Sequence, residues 1–175
     1  MGIFAPDLKT AVIQPTLIKL NQCTPATEAL LFGTACIMAN LENQLSPAPD
    51  DPLFGLYSIN KTTHRDTWDK HIAFNCDLAS TIRGFASQRM FLENPEQELN
   101  TNLSYATAIA WAIYDAKLES FPKDPGDFLA LATCWYDNYP HTGIAESQRK
   151  KSINTFIRAM KTNARSAKKK PPIAA

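Results

Sequence analysis

The sequence predicts a mainly α-helical domain, and three observations support this class. Apolar residues recur at helical spacing in several segments, most clearly over residues 95–118, where small residues also allow close packing. A strand is indicated only for a short element near residues 56–59. A chain of 175 residues can fill one core but is too short for two comfortable domains. We therefore expect a single domain over residues 1–162, followed by a basic, mobile tail over residues 163–175.

Prolines and small polar residues mark the helices in the first part of the chain. Pro15 suits the first turn of a helix that buries Leu17, Ile18 and Leu20. Thr24 with Pro25 supplies a side-chain cap and a proline at the first helical position of the next helix. The helix that begins there carries apolar residues at helical spacing, namely Leu30, Leu31, Ala35, Met38 and Leu41. Met38 is therefore expected on or beside the buried face.

Two short runs, GTACIMANL over residues 33–41 and GLYSIN over residues 55–60, flank a loop that contains Pro47, Pro49 and Pro52. The prolines exclude a continuous helix or strand in the loop, and GLYSIN is typical of a tight, partly extended element. A helix end, a rigid loop and a second element that folds back commonly form one wall of a cleft. Residues 33–60 are therefore the candidate functional region.

Further helices are predicted up to the end of the domain. Thr63 and Asp66 resemble a capping box, so a helix should run through Trp68 to about residue 72. The apolar spacing within residues 76–92 predicts a second helix that ends near Arg89. Residues 95–118 are predicted to form the central helix of the core. Residues 127–139 predict a helix that ends before Pro140, and an amphipathic helix after residue 145 should cover the core.

Composition and charge limit the location and the partners of the protein. No apolar run approaches the roughly 20 residues of a membrane span. Residues 1–20 lack the basic start and apolar stretch of a secretory signal, so we expect synthesis in a cytoplasm. From Glu146 onward nine Lys or Arg accompany one Glu, giving +8, whereas residues 1–145 carry −7. The basic end suits nucleic acid, a membrane surface, an acidic protein or a solubilising role, and without interleaved stacking aromatics the nucleic-acid alternative has little support.

The cysteine, histidine and aromatic residues form few motifs that predict a functional site. The four cysteines are scattered without metal-ligand spacing, so buried, reduced thiols, no metal and no cofactor are expected. His64 beside Asp66 would suit a catalytic role, although a histidine at a helix start more often joins a local hydrogen-bond set. Five aromatic residues would either line a saccharide groove or fill the core, namely Tyr57, Tyr105, Trp111, Trp135 and Tyr136.

Four segments in order resemble the lysozyme-like catalytic domain of soluble lytic transglycosylases and goose-type lysozymes. They read PTLIKLNQCTPATEALLFGTACIMANL, FGLYSINKTTHRDTW, NLSYATAIAWAIY and LATCWYDNYPHTG. The resemblance is closer to small phage and prophage structural proteins of the same fold, and it spans roughly residues 13–160. It implies a lysozyme-like helical fold, with peptidoglycan as the substrate of active members.

The chain departs from this family at the residue that catalysis requires. Family members use one Glu that protonates the glycosidic oxygen and then accepts a proton. Aligning GTACIMANL with the family text GTAAQESGL places Ile37 at the Gln and Met38 at the Glu, and a thioether can serve neither proton transfer. Glu42 lies four residues beyond Met38, about one 5.4 Å helical turn away, and would need a rebuilt pocket. GLYSIN has Ser58 and Asn60 where the phage group usually has Gln and Glu.

We therefore expect a virion-associated structural protein of a bacteriophage, in the tail or the head–tail assembly, built on a lysozyme-like domain that has lost its acid. The alternative is an active muramidase or lytic transglycosylase that uses Glu42 during genome entry. A third reading is a module that binds glycan without hydrolysis, through the cleft candidates Tyr57, Ser58, Asn60, Tyr105 and Tyr136. The expected partners are other virion proteins in an oligomeric assembly, with peptidoglycan as a further ligand.

Overall fold

The computed structural model describes residues 7–41, 50–141 and 144–169. Within these ranges the chain is mainly helical with one short two-stranded sheet, which confirms the predicted class. A π-helical segment, Leu8–Ile13, leads into α1 (Gln14–Lys19) and α2 (Pro25–Leu41). Leu17 and Leu20 are buried as predicted, but the prediction for Ile18 is wrong, because this side chain lies on the solvent side of α1 and is 61% exposed. The Thr24 hydroxyl accepts a hydrogen bond from the Thr27 amide at 3.1 Å, so the predicted cap is present at the start of α2.

The sheet is a hairpin of β1 (Leu53–Phe54) and β2 (Ile59–Asn60), which pair antiparallel. Residues 56–58, which the sequence predicts to be extended, form the turn between these strands instead. The Ser58 amide donates to the Gly55 carbonyl at 3.0 Å, and both residues have positive φ, at 48° and 64°. A methyl group on Gly55 would collide with the backbone of Leu99, so glycine is required there by conformation and by space.

The middle of the chain forms α3 (Lys61–Lys70), α4 (Cys76–Arg83), α5 (Gln88–Glu93), α6 (Pro95–Thr101) and α7 (Leu103–Asp115). The predicted capping box at Thr63 is wrong in register, because Asn60 caps α3 by accepting from the Thr63 amide at 2.9 Å. The predicted helix over residues 76–92 is divided, and Ser87 caps its second part.

The predicted central helix over residues 95–118 is also divided, at Asn102. This residue is extended, with φ −122° and ψ 96°, and its side chain caps α7 at the Tyr105 amide. Every residue of α7 from Tyr105 to Tyr114 is buried, so α7 is the centre of the core. No described helix is long and apolar enough to cross a membrane.

The last two helices are α8 (Phe128–Asn138) and α9 (Arg149–Lys169). Phe156 of α9 is fully buried, and its ring stacks on Trp135 of α8 at 5.7 Å and lies directly against Gly33 of α2. Because Gly33 has no side chain, α9 can approach α2 closely at this point. The helix continues to Lys169, beyond the predicted start of the tail at residue 163, and residues 170–175 lie outside the described part.

Candidate functional site

The two residues aligned with the family Gln and Glu lie in the hydrophobic core. Ile37 and Met38 are both 0% exposed, on the buried side of α2. The thioether of Met38 is therefore packed among apolar side chains and does not face a cleft. Glu42, the alternative acid, follows the last residue of α2 and lies outside the described residues, as do Pro47 and Pro49 of the proline loop.

Tyr57, the leading candidate for stacking on a sugar, is also 0% exposed. Its hydroxyl shares a hydrogen bond with Thr107 of α7 at 3.2 Å, and its carbonyl accepts from the Tyr139 hydroxyl at 3.0 Å. Burial raises the pKa of Tyr57 far above its usual value, so the phenol is neutral. The ring therefore fixes the hairpin to α7 and, as placed, has no free face for a ligand.

The other cleft candidates also have structural roles in this arrangement. Ser58 is a turn residue with positive φ, and Asn60 is the cap of α3. Tyr136 is 6% exposed, and the guanidinium of Arg149 lies 5.4 Å from its ring centroid. A glycan-binding role for these side chains stays a prediction, and it would require them to move.

Tyr105 joins a buried polar network with His64 and Trp68 of α3. The Tyr105 hydroxyl lies 2.8 Å from Nε2 of His64 and accepts from Nε1 of Trp68 at 2.9 Å. His64 is 2% exposed, and its Nδ1 has no hydrogen-bond partner among the described residues. Burial, reinforced by the charge of Arg65, lowers the pKa of His64 to about 4, although Glu96 opposes the shift. The imidazole is therefore neutral at physiological pH, which agrees with the local structural role that its helix position favours.

Two buried carboxylates of α6 lie next to this network, and sequence reasoning missed both. Glu96 is 5% exposed and accepts from Nε of Arg65 at 3.2 Å. Glu98 is 2% exposed, and its two oxygens accept from the Ser87 amide at 3.2 Å and from the Asn102 side chain at 2.9 Å. Each carboxylate thus has protein donors, as buried charges require. The cluster holds α3, α5, α6 and α7 together, and neither of its two carboxylates is exposed to solvent.

A second feature that the sequence did not reveal is a pair between His71 and Asp115, at the ends of α3 and α7. Nε2 of His71 lies 2.9 Å from Oδ2 of Asp115, and both side chains are about one-third exposed. His71 borders an open cavity of about 330 Å³, which Thr67 and Lys117 also line. The Thr67 hydroxyl donates to the Thr63 carbonyl at 2.7 Å, so it is not held as a nucleophile for the histidine. His71 and Asp115 therefore join two helix ends, and their separation of 44 residues conceals the pair in the sequence.

The described residues contain no group of three or more His, Cys, Asp or Glu that could hold a metal ion. Cys23 and Cys76 are exposed thiols, contrary to the expectation of buried ones, whereas Cys36 and Cys134 are partly buried. Burial raises the pKa of the Cys36 and Cys134 thiols to about 11. Both are therefore protonated and weakly reactive near neutral pH.

Comparison with protein-family models, with curated proteins and with solved structures finds no match to this chain. The resemblance to lytic transglycosylases therefore depends on the sequence segments themselves. What the geometry adds is local: the position aligned with the catalytic acid is apolar and closed, and the Tyr57 hydroxyl and Nε2 of His64 are hydrogen-bonded within the protein.

Proposed function

We propose that this chain is a virion-associated structural protein of a bacteriophage, whose lysozyme-like domain has lost its reaction. The observation that carries the proposal is the complete burial of Met38 at the position aligned with the family Glu. A general acid for glycoside cleavage must reach the glycosidic oxygen and exchange a proton with it. A side chain with no proton to give and no exposure meets neither requirement.

The surroundings of Met38 support a packing role for the same stretch. Tyr57 and Ile59 of the hairpin are 0% exposed, and Tyr57 bonds to α7 and to Tyr139. An active cleft wall needs polar groups that point at the substrate, whereas this wall directs its side chains inward. The stretch therefore serves the stability of a domain that contacts neighbouring virion proteins.

The test is the action of the purified chain on peptidoglycan. Turbidity of cell-wall suspensions and release of soluble muropeptides should both stay at the level of the buffer, while an active muramidase in parallel clears the suspension. The same assay on Glu42→Gln provides the control for the alternative acid. Clearing by the unmodified chain that disappears in Glu42→Gln would overturn the proposal in favour of an enzyme.

A pull-down with insoluble peptidoglycan separates the remaining reading. A purely structural protein should stay in the supernatant at physiological salt. Retention of the unmodified chain on the glycan would indicate a glycan-binding module instead.

A further inference from the structure

The last helix, α9, carries the most uneven charge in the protein. Its 21 residues, RKKSINTFIRAMKTNARSAKK, contain eight Lys or Arg and no acid. The apolar side of the helix is buried, with Ile153 and Met160 at 7% exposure and Phe156 at 0%, and it packs on α2 and α8. Lys150, Lys151, Arg158 and Lys161 are exposed and therefore lie on the part of α9 that faces solvent.

Three of these cations fall in one line along the helix. Lys150, Arg158 and Lys161 are exposed. Residues 150, 154, 158 and 161 are three or four positions apart, so they lie on the same side of the helix. At about 1.5 Å per residue the line is about 16 Å long. Lys151 is exposed beside it. We call these four residues the basic stripe.

The charges of the basic stripe are not neutralised within the described residues. Arg149, which precedes the stripe, forms a bidentate pair with Asp137 at 2.9 and 3.1 Å and is therefore occupied. No described acid forms a salt bridge with any member of the stripe. The sequence of α9 continues with Arg165, Lys168 and Lys169, which extends the run of positive charge.

The packing of α9 discriminates among polyanionic partners. A helix that binds a membrane surface inserts its apolar face into the bilayer, but that face of α9 is buried in the core. Single-stranded nucleic acid is held by stacking on exposed aromatics, and the only aromatic residue of α9 is the buried Phe156. The exposed cations of the basic stripe, with Asn154 between Lys150 and Arg158 in the line, fit the regular phosphates of a duplex.

We propose that the basic stripe binds the phosphate backbone of double-stranded nucleic acid without sequence specificity. This inference does not depend on the loss of catalysis. Phosphate contacts fix position but carry no sequence information, so unrelated duplexes should bind equally well. Four contacts predict that the logarithm of the association constant falls with the logarithm of salt with a slope of about −3.6. Affinity should therefore decrease about 100-fold between about 50 and 200 mM salt.

The test compares two triple variants of the full chain by fluorescence anisotropy with labelled duplex DNA. The stripe variant is Lys150→Gln, Arg158→Gln and Lys161→Gln. The control variant is Lys19→Gln, Arg89→Gln and Lys123→Gln, which removes the same net charge from other exposed positions. Circular dichroism checks that both variants keep the helical content of the unmodified chain.

The stripe variant should lose at least tenfold in affinity at about 100 mM salt, and its salt slope should become shallower by about 2.7. The control variant should stay within about twofold of the unmodified chain. Equal losses in both variants would overturn the proposal, because net charge alone would then explain binding. Absence of duplex binding at about 50 mM salt would overturn it as well.

A competition experiment separates the duplex from an anionic membrane. Phosphatidylcholine vesicles that contain phosphatidylserine are added to the labelled complex, with unlabelled duplex of a different sequence as the second competitor. The unlabelled duplex should displace the label, and the vesicles should not. Stronger displacement by vesicles at equal phosphate concentration would assign the stripe to a membrane surface and overturn the proposal.

Discussion

Replacing Met38 by glutamate would place a carboxylate at the position that aligns with the catalytic Glu of lytic transglycosylases, and its effect on stability can be calculated from burial. Because residue 38 is 0% exposed, the carboxyl group should stay protonated in the folded state. An unfolded glutamate has a pKa of about 4.3, so the gap to pH 7 is about 2.7 units, at about 1.36 kcal/mol each. The cost of keeping this carboxyl group protonated should therefore lower the free energy of unfolding of Met38→Glu by about 4 kcal/mol at pH 7, which is a large part of the stability of an ordinary domain.

The dependence on pH identifies this cause. The folded state of Met38→Glu keeps a proton that the unfolded state releases above pH 4.3, so stability should decrease as pH rises. The loss relative to Met38→Gln, which buries a neutral group of the same shape, should be about 1 kcal/mol at pH 5 and about 4 kcal/mol at pH 7. Urea unfolding at both pH values measures the difference, and comparison at equal pH cancels the titration of other groups.

Two further substitutions at Met38 serve as controls. Met38→Gln buries a neutral amide and should cost about 1–3 kcal/mol at both pH values. Met38→Leu keeps the volume and polarity of the site and should cost less than about 1.5 kcal/mol. If Met38→Glu were as stable as Met38→Gln at pH 7, the carboxylate would be reaching solvent and the closed wall would be refuted. Clearing of peptidoglycan by Met38→Glu would refute it more directly, because a working cleft would then lie beside residue 38.

Three further predictions concern stability and are measured by the same urea unfolding. The free energy of unfolding should decrease by about 3 kcal/mol as pH falls from 6.5 to about 4, because unfolding lets His64 bind a proton that burial excludes. The substitution His64→Gln should remove this part of the pH dependence. Gly33→Ala should cost about 1–3 kcal/mol, since its methyl group meets the ring of Phe156, and adding Phe156→Leu should recover part of that loss. Gly55→Ala should cost about 2 kcal/mol or more, because it combines a positive φ with a collision against Leu99.

Each of these predictions has an outcome that contradicts it. An unchanged pH dependence in His64→Gln would mean that another group titrates over this range. Additive losses from Gly33→Ala and Phe156→Leu would mean that the two residues do not share the contact between α2 and α9. Gly84→Ala is the control for Gly55→Ala, because Gly84 has a helical φ of −64° and should tolerate a methyl group better. Equal losses of unfolding free energy in Gly55→Ala and Gly84→Ala would show that the positive φ of Gly55 does not cause the destabilisation.

The sequence predicted the helical class because apolar periodicity survives in most helices, but periodicity cannot locate a break inside an apolar stripe. Asn102 illustrates this limit, since apolar residues continue on both sides of it and the predicted helix passes through. The break depends on tertiary contacts, because the Asn102 side chain donates to the Phe85 carbonyl at 2.7 Å and to Glu98. Such partners, 17 residues away in the first case, have no local signal.

The sequence analysis also missed two buried acids, because an acid without a motif gives no sequence signal for burial. Glu96 and Glu98 are buried, and each is neutralised or hydrogen-bonded by groups from another segment. For Met38 the same reasoning succeeded, because apolar spacing in α2 predicted its buried face without any tertiary information. The candidate site was thus predictable where it is apolar and unpredictable where it is polar.

Burial of Met38 and exposure of the basic stripe have a common structural origin in α2. On one part of its surface α2 presents Ile37 and Met38 to the core, and on another Gly33 receives Phe156 of α9. A helix packed in this way has little surface left to shape a substrate cleft, but it fixes α9 so that the basic stripe faces outward. An apolar residue at position 38 therefore supports the packing on which α9 rests.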